Sequence, residues 1–94
     1  MTLESRIQTD FIHDIRARGG LAYKLAPTAK GIPDLLVVSP EGELFLVEMK
    51  QSSGRVSPAQ RVQHHRLAQR GVTIYILRSR EEGDAWLREH FGRR

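Results

Sequence analysis

The 94 residues predict a single α/β domain, spanning 1–94, with the element order αβββαβα and a mixed sheet. Three observations carry this reading. Leu3, Ile7, Phe11 and Ile15 recur every four positions near the start, as on one face of a helix. Two apolar runs, 34–38 and 44–49, flank a Ser-Pro-Glu-Gly turn, as in a β-hairpin. A polar helix opening at Ser57-Pro58 is followed by the apolar run 72–77, and a right-handed crossover sets that run parallel to 43–50. No linker, repeat or low-complexity stretch interrupts the chain.

Thr2 is placed to cap the first helix, and Gly19-Gly20 end it. Residues 21–25 form a short strand before the loop 26–31, where Tyr23, Lys24 and Lys30 suit either contact with a polyanion or a solvated sheet edge. In the hairpin, Pro40-Glu41-Gly42 form a three-residue loop with Gly42 in the left-handed conformation, which pairs Ser39 with Glu43 and, counting back, Asp34 with Glu48. After the polar loop 51–55, Ser57 caps a helix over 58–70 with Pro58 in its first turn. Gln60, His64 and Leu67 share one side of that helix, and Gln60 is expected to face the hairpin. The adjacent His64 and His65 point in different directions, so both are expected in solvent or against a partner. The run 72–77 is apolar on both faces, as in an interior strand. Ser79 with Glu82 spells a capping box for a last helix carrying Trp86, Leu87 and Phe91, which is expected both to close the core and to contribute a dimer contact.

The chemistry lies at the open end of the hairpin. Glu48 and Lys50 alternate onto the same face of their strand, and the turn sets Asp34 opposite Glu48. Taken alone, a Glu-x-Lys on a strand is a solvated ion pair of small energy. Here it terminates runs of Leu, Val and Phe, beside a second carboxylate that repels the first. A divalent cation removes the conflict, and Mg²⁺ takes one or two carboxylates while keeping waters and substrate phosphates. Metal, water and ammonium at one point provide what attack on a phosphodiester requires. Glu4 falls on the apolar stripe of the first helix, where it suits the helix dipole, a salt bridge or the metal.

Gly31-Ile-Pro-Asp34, thirteen intervening residues, Glu48-Met-Lys50, a preceding helix with Glu4 and a following Ser57-Pro-Ala-Gln60 together resemble the VRR-NUC domain of the PD-(D/E)XK nuclease superfamily. The resemblance spans about residues 3 to 78, with no motif position missing and no further domain attached, as in the stand-alone forms of phages and bacteria. It implies a restriction-endonuclease-like αβββαβ core with an extra C-terminal helix. It also implies an Mg²⁺- or Mn²⁺-dependent endodeoxyribonuclease. In that reading Asp34, Glu48 and the Met49 carbonyl are metal ligands, Glu4 contributes directly or through water, Lys50 positions and activates the attacking water, and Gln60 helps order the site. Homodimers acting on branched DNA such as Holliday junctions are implied as well.

Composition agrees. Fifteen Lys and Arg against eleven Asp and Glu give a net charge of +4, and nucleic acid is the commonest partner for a basic surface. Lys30, Arg55, Arg61 and Arg66 are the expected phosphate contacts. The absence of cysteine excludes disulfides and zinc–thiolate sites and suits a cytoplasmic setting. No apolar run is long enough to span a bilayer, and Glu4 and Arg6 break any signal-peptide pattern. The alternative is a DNA-binding module without cleavage, or a subunit of a larger phage or repair complex. A binding module would have no need of the Asp, Glu, Lys and Gln set.

Overall fold

The computed structural model describes residues 2–51 and 53–91. Its elements are α1 (Leu3–Ala17), β1 (Leu21–Lys24), β2 (Leu35–Val38), β3 (Leu44–Met49), α2 (Pro58–Ala68), β4 (Ile74–Leu77) and α3 (Arg80–Phe91). The strands form one sheet in the order β1-β2-β3-β4, antiparallel at the first two pairings and parallel at β3–β4. The sheet is therefore mixed, as the sequence predicts. β4, expected as an interior strand, lies at the sheet edge. Its residues are apolar on both sides because helices pack near both of its faces, while its outer backbone edge stays unpaired.

Strand alternation divides the sheet into two unlike faces. Ala22, Leu35, Val37, Phe45, Val47, Met49 and Leu77 point to one face and join Phe11, Ile12, Ile15, Trp86, Leu87 and Phe91 in the core. α1 and α3 cover this side. On α1 the buried stripe is Phe11, Ile12 and Ile15, whereas Leu3 is 65% exposed, so the four-residue repeat overstates how far the helix is covered. Trp86, Leu87 and Phe91 are 5%, 1% and 7% exposed. These apolar side chains of α3 are thus buried inside the monomer, with Trp86 edge-on against Phe11 and Phe45, rather than exposed for the expected dimer contact.

The other face carries Leu21, Tyr23, Leu36, Val38, Leu44, Leu46, Glu48, Ile74 and Ile76. α2 packs near β4 on this side and has no fully buried residue. Leu21, Tyr23 and Leu44, farther from it, are 51%, 52% and 62% exposed.

Caps follow local chemistry with two departures. Thr2 accepts the Ser5 amide, as expected. Ser57 and Gln60 form a complete capping box, so the Gln60 oxygen turns back to the Ser57 N–H at 2.8 Å. At α3, Ser79 accepts the Glu82 amide, but the Glu82 carboxylate accepts from Arg78 N–H at 2.9 Å, so the expected box is only half closed. Among the described residues no helix is long and apolar enough to cross a membrane.

Candidate active site

The hairpin turn sets the register of everything beyond it. Gly42 has φ +89°, its N–H donates to the Ser39 carbonyl, and the Ser39 N–H donates to the Glu43 carbonyl at 2.8 Å. Val38 then faces Leu44, and Leu35 faces Val47. One step further, Asp34 and Glu48 fall opposite each other in a non-hydrogen-bonded pair, the closer of the two antiparallel spacings.

Extended one step more, the same register would set Pro33 opposite Met49, at a position where two residues ordinarily exchange both backbone hydrogen bonds. Proline has no N–H, so the Met49 carbonyl loses its ladder donor. The Met49 N–H is taken instead by Asp34, whose Oδ2 accepts it at 2.9 Å. Proline before aspartate can thus donate no ladder bond here, and the Asp34 carboxylate takes the Met49 amide in its place.

Glu48 is 0% exposed. Oε1 lies 3.4 Å from His64 Nε2, and Oε2 is buried without a hydrogen-bond partner. Burial pushes its pKa above the ordinary carboxylate range, and the neighbouring Asp34 charge adds to the rise. The His64 hydrogen bond and charge, with a smaller contribution from Lys50, oppose it. Lys50 follows as the strand ends, half-buried, with its N–H donating to the Leu77 carbonyl at 2.9 Å. The turn after it is held by Arg78, whose guanidinium donates to the Gly54 and Gln51 carbonyls.

The loop that delivers Asp34 is locked against α2. Gly31 has φ +83°, and a Cβ there would lie 2.3 Å from the Ala59 carbonyl oxygen and 2.6 Å from Gln60 N. Only glycine combines that backbone angle with so close an approach. The start of β2 and the first turn of α2 are thereby fixed relative to each other, and α2 brings His64 over Glu48.

The residues singled out in the sequence sort into three groups. Asp34, Glu48, Met49 and Lys50 converge at the end of the hairpin. Gln60 is half-buried on the first turn of α2, with its oxygen engaged in the capping box. Glu4 is half-buried on the first turn of α1, without a hydrogen bond or ion pair among the described residues. Lys30, Arg55, Arg61 and Arg66 are all exposed. His64, expected in solvent, is instead 20% exposed and faces Glu48, whereas His65 is exposed. The signal for His64 was its place one turn after Gln60 on the side of Leu67.

A buried carboxylate oxygen with no donor beside a second carboxylate, itself bonded to the Met49 amide, suits a hard divalent cation. Among the described residues no three His, Asp or Glu side chains are grouped around one point, so a cation here would rest on the two carboxylates together with backbone oxygen and waters. The residues fit the group.

The model of the VRR-NUC domain family matches residues 11–81. The chain belongs to the VRR-NUC family. A phage protein described as "Putative nuclease p44", from Acyrthosiphon pisum secondary endosymbiont phage 1, is 34% identical over 79 residues, covering 83% of this chain and 85% of the relative. A solved structure described as a VRR-NUC domain superposes with a TM-score of 0.84 at 34% identity, over 97% of this chain and 99% of the other. A second, described as a VRR-NUC domain protein, has a TM-score of 0.71 at 14% identity over 98% and 90%, a likeness of fold. VRR-NUC membership makes the chain a nuclease domain, and the paired carboxylates are the most chemically distinctive feature of the candidate site.

Proposed function

We propose that this VRR-NUC domain is an Mg²⁺- or Mn²⁺-dependent endodeoxyribonuclease that hydrolyses phosphodiester bonds in branched DNA, Holliday junctions among them. The observation that carries the proposal is Glu48, fully buried with one oxygen unpartnered and Asp34 directly opposite. A buried anion in that state is costly unless a cation completes it.

Asp34, Glu48 and the Met49 carbonyl would hold the ion, with Glu4 contributing directly or through water. When bound, the ion lowers the pKa of a coordinated water and offsets charge on the phosphoryl oxygens. Lys50, at the open end of the strand, orients the attacking water and places its ammonium beside the scissile phosphate. Gln60 supports the site through the helix start it closes, which abuts the loop of Gly31. Lys30, Arg55, Arg61 and Arg66 hold the DNA by its phosphates, which sets position rather than sequence preference. The protein works in the cytoplasm, where its substrate lies.

A homodimer remains part of the proposal, with two sites at fixed separation matching the symmetry of a junction. Its contact moves from α3, whose aromatics are buried, to the uncovered sheet face of Leu21, Tyr23 and Leu44. Light scattering at micromolar protein, with and without junction DNA, reports the dimer. Cleavage is tested by incubating the protein with four-way junction, flap, linear duplex and single-stranded DNA, in Mg²⁺, Mn²⁺ or EDTA. Metal-dependent nicking of the junction, abolished in Glu48→Gln, supports the proposal. Binding of every DNA with cleavage of none would identify a binding module instead.

A further inference from the structure

We propose that His64 is a positioning residue that holds Glu48 by one carboxylate oxygen so that the other is presented to the metal ion. This rests on the metal-site reading given above and adds to it a residue outside the aspartate, glutamate and lysine set. The two oxygens of Glu48 are unlike: Oε1 lies 3.4 Å from His64 Nε2, whereas Oε2 is buried with no partner. With its proton on Nε2, His64 is the only side-chain donor to Glu48 among the described residues.

A strand-borne glutamate has free torsions at its end, and nothing in β3 itself fixes the plane of the carboxylate. A donor on one oxygen does. Ligating carboxylates are commonly hydrogen-bonded by a second layer of side chains, and loss of such a partner costs about 10–100-fold in metal affinity or activity.

His64 is well placed for this because α2 is positioned by the loop of Gly31 and the edge strand β4 rather than by the core. The helix has no fully buried residue, and its first turn abuts Gly31, three residues before Asp34. The loop that delivers one ligand therefore also locates the helix that orients the other.

The test is Mn²⁺ binding by titration calorimetry on wild type, His64→Ala, His64→Gln and Glu48→Gln, with circular dichroism as a control for folding. Gln places an N–H donor near the position of Nε2 without an imidazole. The expected result is a dissociation constant raised about 10–100-fold in His64→Ala and restored to within a factor of a few in His64→Gln. Thermal melts in EDTA give a second readout, since His64→Ala leaves Glu48 with no donor at all. The variant should melt below wild type, and the difference should shrink in the Glu48→Gln background. Wild-type affinity in folded His64→Ala would overturn the proposal. Failure of His64→Gln to restore binding would overturn it too, by making the imidazole itself the ligand. Absence of Mn²⁺ binding in wild type would instead defeat the metal-site reading on which it rests.

Discussion

At the scale of single residues, Glu48 and Lys50 carry opposite consequences. Glu48 is buried with its pKa raised chiefly by desolvation. Between its unfolded and folded values the native state binds more protons than the unfolded chain, so stability falls as pH rises through that interval. In EDTA and at a pH above that interval, the ionised Glu48 therefore opposes folding. Glu48→Gln should melt higher than wild type there, and the gap should close below the ordinary carboxylate range. For a domain of this size each ~1 kcal/mol moves Tm by about 4–8 °C, which thermal melts across a pH series resolve. Mn²⁺ should raise the Tm of wild type and leave the variant unmoved. A variant less stable than wild type at every pH would show that burial does not strain this carboxylate. If Lys50 acts on the transition state rather than on binding, as proposed, Lys50→Ala should lower kcat by about 10²–10⁴-fold with DNA and Mn²⁺ affinity changed only a few-fold. Single-turnover cleavage at saturating DNA measures this, and equal losses in affinity and rate would remove Lys50 from the chemical step.

At the scale of elements, the site depends on where β2 stops. Pro33 withholds an N–H from Met49, and Asp34 takes the Met49 amide in place of the ladder. Pro33→Ala restores a donor able to reach the Met49 carbonyl and extends the pairing by one step. Mn²⁺ affinity should fall by about tenfold, equivalent to ~1.4 kcal/mol, while the circular dichroism spectrum is kept. Unchanged affinity would show that the Met49 carbonyl is not a ligand. Gly31 makes the complementary contribution. Any side chain there meets the Ala59 carbonyl at a backbone angle that already disfavours one, so the junction of loop and α2 admits no substitution without moving His64.

At the scale of the whole molecule, charge and apolar surface divide the work. The core against α1 and α3 takes every aromatic but Tyr23, and the cations Lys30, Arg55, Arg61 and Arg66 are exposed. If they contact phosphate, log affinity falls linearly with log salt, and neutralising any one of them should reduce the slope by about 0.9 for duplex DNA. Fluorescence anisotropy over a salt series reads the slope. A substitution that leaves it untouched places that residue away from the DNA path.

Most of the hairpin was legible in the sequence because its determinants are local. A glycine able to adopt positive φ sets the turn, the turn sets the register, and the register sets Asp34 opposite Glu48. The caps at Thr2, Ser57 and Ser79 follow from the same short range, whereas the parallel pairing of β3 with β4 follows from the helical connection between them. What only the tertiary structure decided are the outcomes that depend on how elements rotate and cover one another. Periodicity marks an apolar stripe but not how far it is covered, so Leu3 stays exposed while Ile12 is buried. Apolar residues on both faces of β4 report covered faces and say nothing of its outer edge. The surplus aromatics of α3 found partners in Phe11 and Phe45, remote in sequence. His64 faces Glu48 because Gly31 seats α2 against the hairpin, a contact between segments whose approach no local pattern encodes.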